Sequence, residues 1–216
     1  MTGGTDKMLK NGAGHTILIP ENSNTRETRT MEEAGLEGRF LIAMPGIGDE
    51  RFHRSVILVC AHSDQGAMGL VINQRADSIS FDELLEQLEI EPNASTSGTP
   101  IRIGGPVESG RGFVLHSSEY AVDSALDVAG KFRLTGTVDV LRDIAKGEGP
   151  QKRIVALGYT GWGAGQLEQE IQANGWLACD SVPEIVFGES DDDKWVAALS
   201  EMGIAPELLS AEGGTA

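Results

Sequence analysis

The chain has 216 residues, 40% of them apolar but only 5% aromatic, with 28 glycines and a formal charge of −16. That length suits one domain with appendages, and the apolar share can fill a core. The charge excludes a chain built to hold nucleic-acid phosphates or an anionic membrane surface by bulk electrostatics, and it is steepest in residues 178–216, which carry nine acids against one base.

Residues 1–37 mix Gly, Asn, Thr, Glu and Arg around one apolar island, Ile17 to Ile19. Their composition predicts a poorly ordered extension. The patterned part, 38–205, reads as a single domain, and 206–216 as a flexible tail. "RFLIAMP" from Arg39 is a short strand ended by Pro45. "RSVILVCAH" from Arg54 has the apolar, β-branched run of a strand buried on both faces. "AMGLVINQ" from Ala67 returns as its hairpin partner.

Ser80 and Glu83 form a capping box. Phe81, Leu84, Leu85 and Leu88 then give a short helix one apolar stripe. "IRIGG" and "RGFVLHS" are two strands joined by a turn, and "KFRLTG" is another. Val138, Leu141, Ile144 and Ala145 line a helix that ends at Gly147. "KRIVALGYT" is a strand, and a helix follows through about Asn174. "GWLACD" and "EIVFG" are expected as final strands. Asp191, Asp192 and Asp193 open a last helix striped by Trp195, Leu199 and Met202, with carboxylates suited to the positive end of its dipole. Strands in pairs, with irregularly placed helices, predict an α+β fold.

Four segments carry polar or glycine-rich chemistry. In "GYTGWGAGQLEQEIQANGWL", from Gly158, glycines 161, 163 and 165 are spaced two apart. That spacing misses both the phosphate loop and the dinucleotide fingerprint, and no Lys-Ser or Lys-Thr follows. Glu168 and Glu170, placed in the helix's first turn, repel an anion. The segment therefore reads as a tight strand-to-helix corner seating Trp162. In "GGPVESGRGFVLH", extended geometry puts Gly112, Val114 and His116 on one face and Arg111, Phe113 and Leu115 on the other. His116, Arg111 and Glu108 form a candidate polar site. The competing reading is a core histidine beside an Arg111–Glu108 pair.

In "CAHSD", Cys60 and His62 are two ligands at most, too few for a metal site. Consecutive His62, Ser63 and Asp64 cannot form a triad, and Cys60 reads as a small buried hydrophobe. "MPGIGDERFHRS" reads as a solvated turn, with Asp49 and Arg54 as candidate ligand-facing residues. The cysteines, Cys60 and Cys179, show no framework spacing, so a reducing cytoplasm is expected. The longest apolar run is six residues, Val56 to Ala61, against about twenty for a spanning helix. No cofactor loop and no metal set are expected.

Taken in order, "FLIAMPGIGDERFHRSVILVCAHSDQGAMGLVIN", "GGPVESGRGFVLH", the glycine segment and the Trp195 helix resemble the YqgE/AlgH family of bacterial proteins, over about residues 38–205. The resemblance implies an α+β fold with a branched mixed sheet, a small barrel-like part and surrounding helices. Its motif positions include Asp49, Arg54, Gly104, Gly105, Pro106, Arg111, Gly112, His116, Gly158, Gly161 and Trp162. Glu50 departs from the family pattern, which has proline after the aspartate. Family members are described as uncharacterised or as transcriptional regulators, and no catalytic residues are established for them. The expected function is non-enzymatic and regulatory, through protein partners and without direct DNA binding. The alternative is a small-molecule binder or enzyme using His116, Arg111 and Glu108.

Overall fold

The structure, a computed structural model, describes residues 8–10, 16–18, 35–94 and 96–209. The chain divides into two units, Met1–Gly35 and Leu36–Ala216. In the first, β1 (Met8–Lys10) pairs antiparallel with β2 (Thr16–Leu18). The remainder of the expected extension up to residue 34, and residues 210–216 of the expected tail, lie outside the described residues. The described start of that tail is a 3-10 turn, Pro206–Leu208, followed by Leu209, which packs on the core.

In the second unit the alternation of each strand decides which core it feeds. β3 (Arg39–Ala43) pairs antiparallel with β4 (Val56–Ser63), and β4 with β5 (Gly66–Val71). Val56, Leu58 and Cys60 point into one core, while Ile57 and Val59 point into another. The strand is thus buried on both faces, as its unbroken apolar run predicts. α1 (Phe81–Gln87) has the expected capping box: the Ser80 hydroxyl accepts the Glu83 N–H, and the Glu83 carboxylate accepts the Ser80 N–H at 2.8 Å.

After α1 come β6 (Ile101–Ile103), β7 (Val107–Ser117), β8 (Leu126–Val128), β9 (Phe132–Thr135) and α2 (Val138–Lys146). Then β10 (Arg153–Gly163) acts as a trunk. Its first half pairs parallel with β6 and antiparallel with β7; its second half, Thr160–Gly163, pairs antiparallel with β5. β9 continues the sheet beyond β7, and β8 beyond β9. After α3 (Gln166–Gln172), β11 (Trp176–Asp180) pairs with β3 at the other end. The sheet is therefore branched at β10 and mixed, with β6–β10 its parallel pair.

The sheet also curls. The turn after β8 returns to the start of β3, where the Ala129 N–H donates to the Glu37 carboxylate at 2.9 Å. Inside the curl lie Phe40, Leu58, Leu70, Leu115, Phe132 and Ile154, all 1% exposed or less. Each such side chain contributes about 1.5–3 kcal/mol by leaving water. α4 (Pro183–Phe187) and α5 (Lys194–Glu201) close this half-barrel with Val186, Trp195 and Leu199. On the outer face α1 and α2 cover Ile101, Val114 and Val155. α3 covers Ile57, Val59 and Val71, with Trp162 and Trp176 beside it. This is the α+β, barrel-like architecture expected, and no helix of the described residues is long and apolar enough to cross a membrane.

Four local expectations need correction. "EIVFG" is helix, because Pro183 at the first helical position has no N–H for a ladder, and the Val182 carbonyl accepts from Ile185 and Val186 instead. The turn expected before Arg111 belongs to β7, which begins at Val107. β8, only three residues long, was not expected. Finally, β10 runs through Trp162 to Gly163 and α3 starts at Gln166, so Trp162 sits in a strand and Glu170 lies beyond the first turn.

Candidate functional site

β7 carries the strongest sequence candidates, and its alternation separates them. His116 is fully buried. Its Nδ1 lies 2.9 Å from the Ser117 carbonyl, which can only accept, so Nδ1 carries the proton. Nε2 then accepts from the Thr135 hydroxyl at 2.9 Å. Tyr120 packs edge-on against the ring at 5.3 Å and donates its own hydroxyl to Asp143 at 2.6 Å. Burial, the largest influence, holds the imidazole below its ordinary 6.5. His116 is a neutral core histidine with both nitrogens engaged.

Arg111 lies on the opposite face of β7. It is half-exposed, pairs with Glu108 at 3.0 Å, and stacks 5.0 Å from the Phe113 ring. The structure brings Arg111 and Glu108 together and keeps His116 apart from both. Asp49 caps the 3-10 turn Glu50–Phe52 and pairs with Arg51 at 2.6 Å. That hydrogen bond holds the Asp49 carboxyl below its ordinary value. Arg54 stacks 4.7 Å from the Trp195 ring, whose Nε1 donates to the Ala43 carbonyl at 3.0 Å. Asn73 and Gln74 donate to the Arg54 and Arg51 carbonyls at 2.9 and 2.8 Å, so the loop is fastened to the end of β5.

The glycines have a different task. Gly158 has φ +71°, and its β-carbon position is filled by the carbonyls of Gly105 and Val107. A β-carbon on Gly104 would overlap the Gly158 carbonyl. The Gly104 N–H donates to Leu157 at 2.8 Å while its carbonyl accepts from Val71 at 2.9 Å. The "GG" chain therefore threads the fork of the sheet, where β5 and β6 part along β10. The register of β10 on β7 also shifts between Leu157 and Tyr159. Gly112 differs, having nothing within 4 Å of its β-carbon position.

Two polar clusters escaped sequence reasoning. Asp191, with its side chain 8% exposed, accepts from Arg102 at 2.9 Å and Arg75 at 3.1 Å, and pairs with Lys194 at 3.4 Å. Burial works to raise its carboxyl, and the cations outweigh it, leaving the group below its ordinary value. On α3, Glu168 lies 2.6 Å from Nε2 of His62, whose Nδ1 accepts the Leu36 N–H at 3.1 Å. Glu170 accepts both indole N–H groups, from Trp162 at 2.9 Å and Trp176 at 2.8 Å. The sequence signal available for α3 was a glutamate pair in a helix followed by tryptophan. For Asp191 the local signal was Lys194 at i+3; nothing local marked Arg75 or Arg102.

Both cysteine thiols are buried. Burial pushes the Cys60 thiol up to about 12 and the Cys179 thiol up to about 11. Among the described residues, no group of three His, Cys, Asp or Glu side chains is placed to hold a metal ion.

Residues 40–207 match the AlgH-like family profile. The chain belongs to the AlgH-like family. A UPF0301 protein of Ruegeria pomeroyi is 54% identical over 183 residues, covering 84% of this chain and 99% of its own. One from Bradyrhizobium diazoefficiens is 53% identical over 190 residues, covering 84% and 88%. The solution structure of the AlgH protein from Pseudomonas aeruginosa superposes with a TM-score of 0.72 at 40% identity, covering 88% of this chain and 100% of that one. A crystal structure from Corynebacterium diphtheriae shares the fold at TM-score 0.64 and 22% identity, covering 81% and 91%. In this AlgH-like chain, the glycine motifs and the His116 strand all belong to the matched region.

Proposed function

We propose that this AlgH-like protein is a non-enzymatic cytoplasmic protein that acts in regulation through protein partners, without binding DNA directly. The observation that carries the reading is how β7 divides its motif. Gly104 and Gly105, just before β7, are spent on the fork and His116 on the core, while Glu108 and Arg111 stand half-exposed to solvent. A motif arranged in this way presents a surface on a rigid scaffold. The −16 charge opposes direct DNA contact.

Affinity capture of the native protein from its own cytosol, after nuclease treatment, is the test. The expected result is a protein retained at fixed stoichiometry, and its loss from Arg111→Glu while the far-UV spectrum and melting temperature hold. A tight, sequence-specific mobility shift on DNA at physiological salt overturns the indirect reading.

A further inference from the structure

A cleft of about 660 Å3 opens where β10 begins. One wall is the loop before β6 and the start of β10, with Thr99, Lys152 and Arg153; the other is α4 and the residues after it, with Glu184, Phe187 and Glu189. Its size falls within the range of small-molecule sites, about 300–1,000 Å3.

The charges on these walls are unspent. Nη1 of Arg153 donates to the Pro150 carbonyl at 3.1 Å, but its Nε is buried with no hydrogen-bond partner. Among the described residues, none of Lys152, Arg153, Glu184 and Glu189 forms an ion pair. The Glu189 carboxylate makes no ion pair with Lys194, whose Nζ is occupied by Asp191 and the Glu189 carbonyl. The Arg153 Nε is closed to solvent, so what Arg153 offers the cleft is its positive charge.

The two walls define what that ligand is. A purely anionic molecule attracted by Lys152 and Arg153 meets the carboxylates of α4. A purely cationic one attracted by Glu184 meets the guanidinium. A molecule with a carboxylate and an ammonium satisfies both walls, and an apolar body packs against Phe187. We infer that this cleft binds a zwitterionic amino acid with an apolar side chain, its carboxylate on Arg153 and Lys152 and its ammonium toward Glu184 and Glu189. The ligand adds a small-molecule input to a protein that acts through partners, and it does not depend on that reading.

The test is a titration of the isotope-labelled full chain with L-phenylalanine, followed by amide shifts. Saturable shifts are expected at Thr99, Lys152, Arg153 and Gly188. N-acetyl-L-phenylalanine, an anion, and L-phenylalaninamide, a cation, are each expected to bind at least about tenfold more weakly. Arg153→Met should weaken L-phenylalanine about tenfold or more with the remaining spectrum unchanged. Lys152→Gln and Glu184→Gln, both at exposed positions, should each weaken it severalfold and supply the answer if Arg153→Met does not fold. Absence of saturable shifts up to about 10 mM overturns the inference. So do shifts centred elsewhere, or equal binding of the acetylated or amidated compound.

Discussion

Both nitrogens of His116 are committed, and that has a consequence in solution. Burial lowers the folded-state pKa below 6.5, the ordinary value to which unfolding returns it. Between those two values the unfolded chain binds more protons than the folded one, so stability rises with pH there. The contribution is complete above about pH 6.5 and is lost as pH falls through the lower, folded value. Urea midpoints of the wild type should therefore fall between pH 7.5 and 5. His116→Gln, which takes up no proton, should remove part of that slope even though it is less stable at neutral pH. An unchanged slope in the variant contradicts the assignment. The same residue shows why a motif histidine is ambiguous in sequence: alternation put it opposite Arg111, but only the Thr135 and Ser117 contacts show that its ring is internal.

At the scale of elements, Asp191 fastens the start of α5 to β6 and to the chain after β5. Replacing it with asparagine leaves Arg102 and Lys194 facing each other, with side chains 11% and 1% exposed and no carboxylate between them. Breaking a buried pair in this way costs about 3–5 kcal/mol, so Asp191→Asn should lower the unfolding free energy by that amount; a loss below about 1 kcal/mol contradicts the role. This cluster was illegible in the sequence because its two arginines lie 89 and 116 positions away. What was legible was local. The Ser80–Glu83 box and the Phe81–Leu85 stripe specify α1 within one turn, and the unbroken run in β4 declares burial on both faces. "EIVFG" misled because its β-branched residues suit a strand, whereas Pro183 and the end of pairing at Asp180 decide for helix. The cleft at the start of β10 is assembled from three separate segments, so no spacing could announce it.

The second unit, Leu36–Ala216, is organised around one fork. β10 serves two branches of sheet, and a second piece of backbone crosses it where the branches part. Two backbones that close leave no room for a β-carbon, which is why Gly104, Gly105 and Gly158 are glycine in this chain. The half-barrel is sealed by α4 and α5, and the exposed Glu108–Arg111 pair lies on β7 beside Phe113. Equilibrium urea unfolding of Gly158→Ala beside Gly112→Ala tests this directly. The account predicts that Gly158→Ala, with φ +71° and carbonyls in its β-carbon space, loses about 3 kcal/mol or more. Gly112→Ala, with open space there, should stay within about 0.5 kcal/mol of wild type. Equal stability of the two variants would contradict a structural crossing at Gly158.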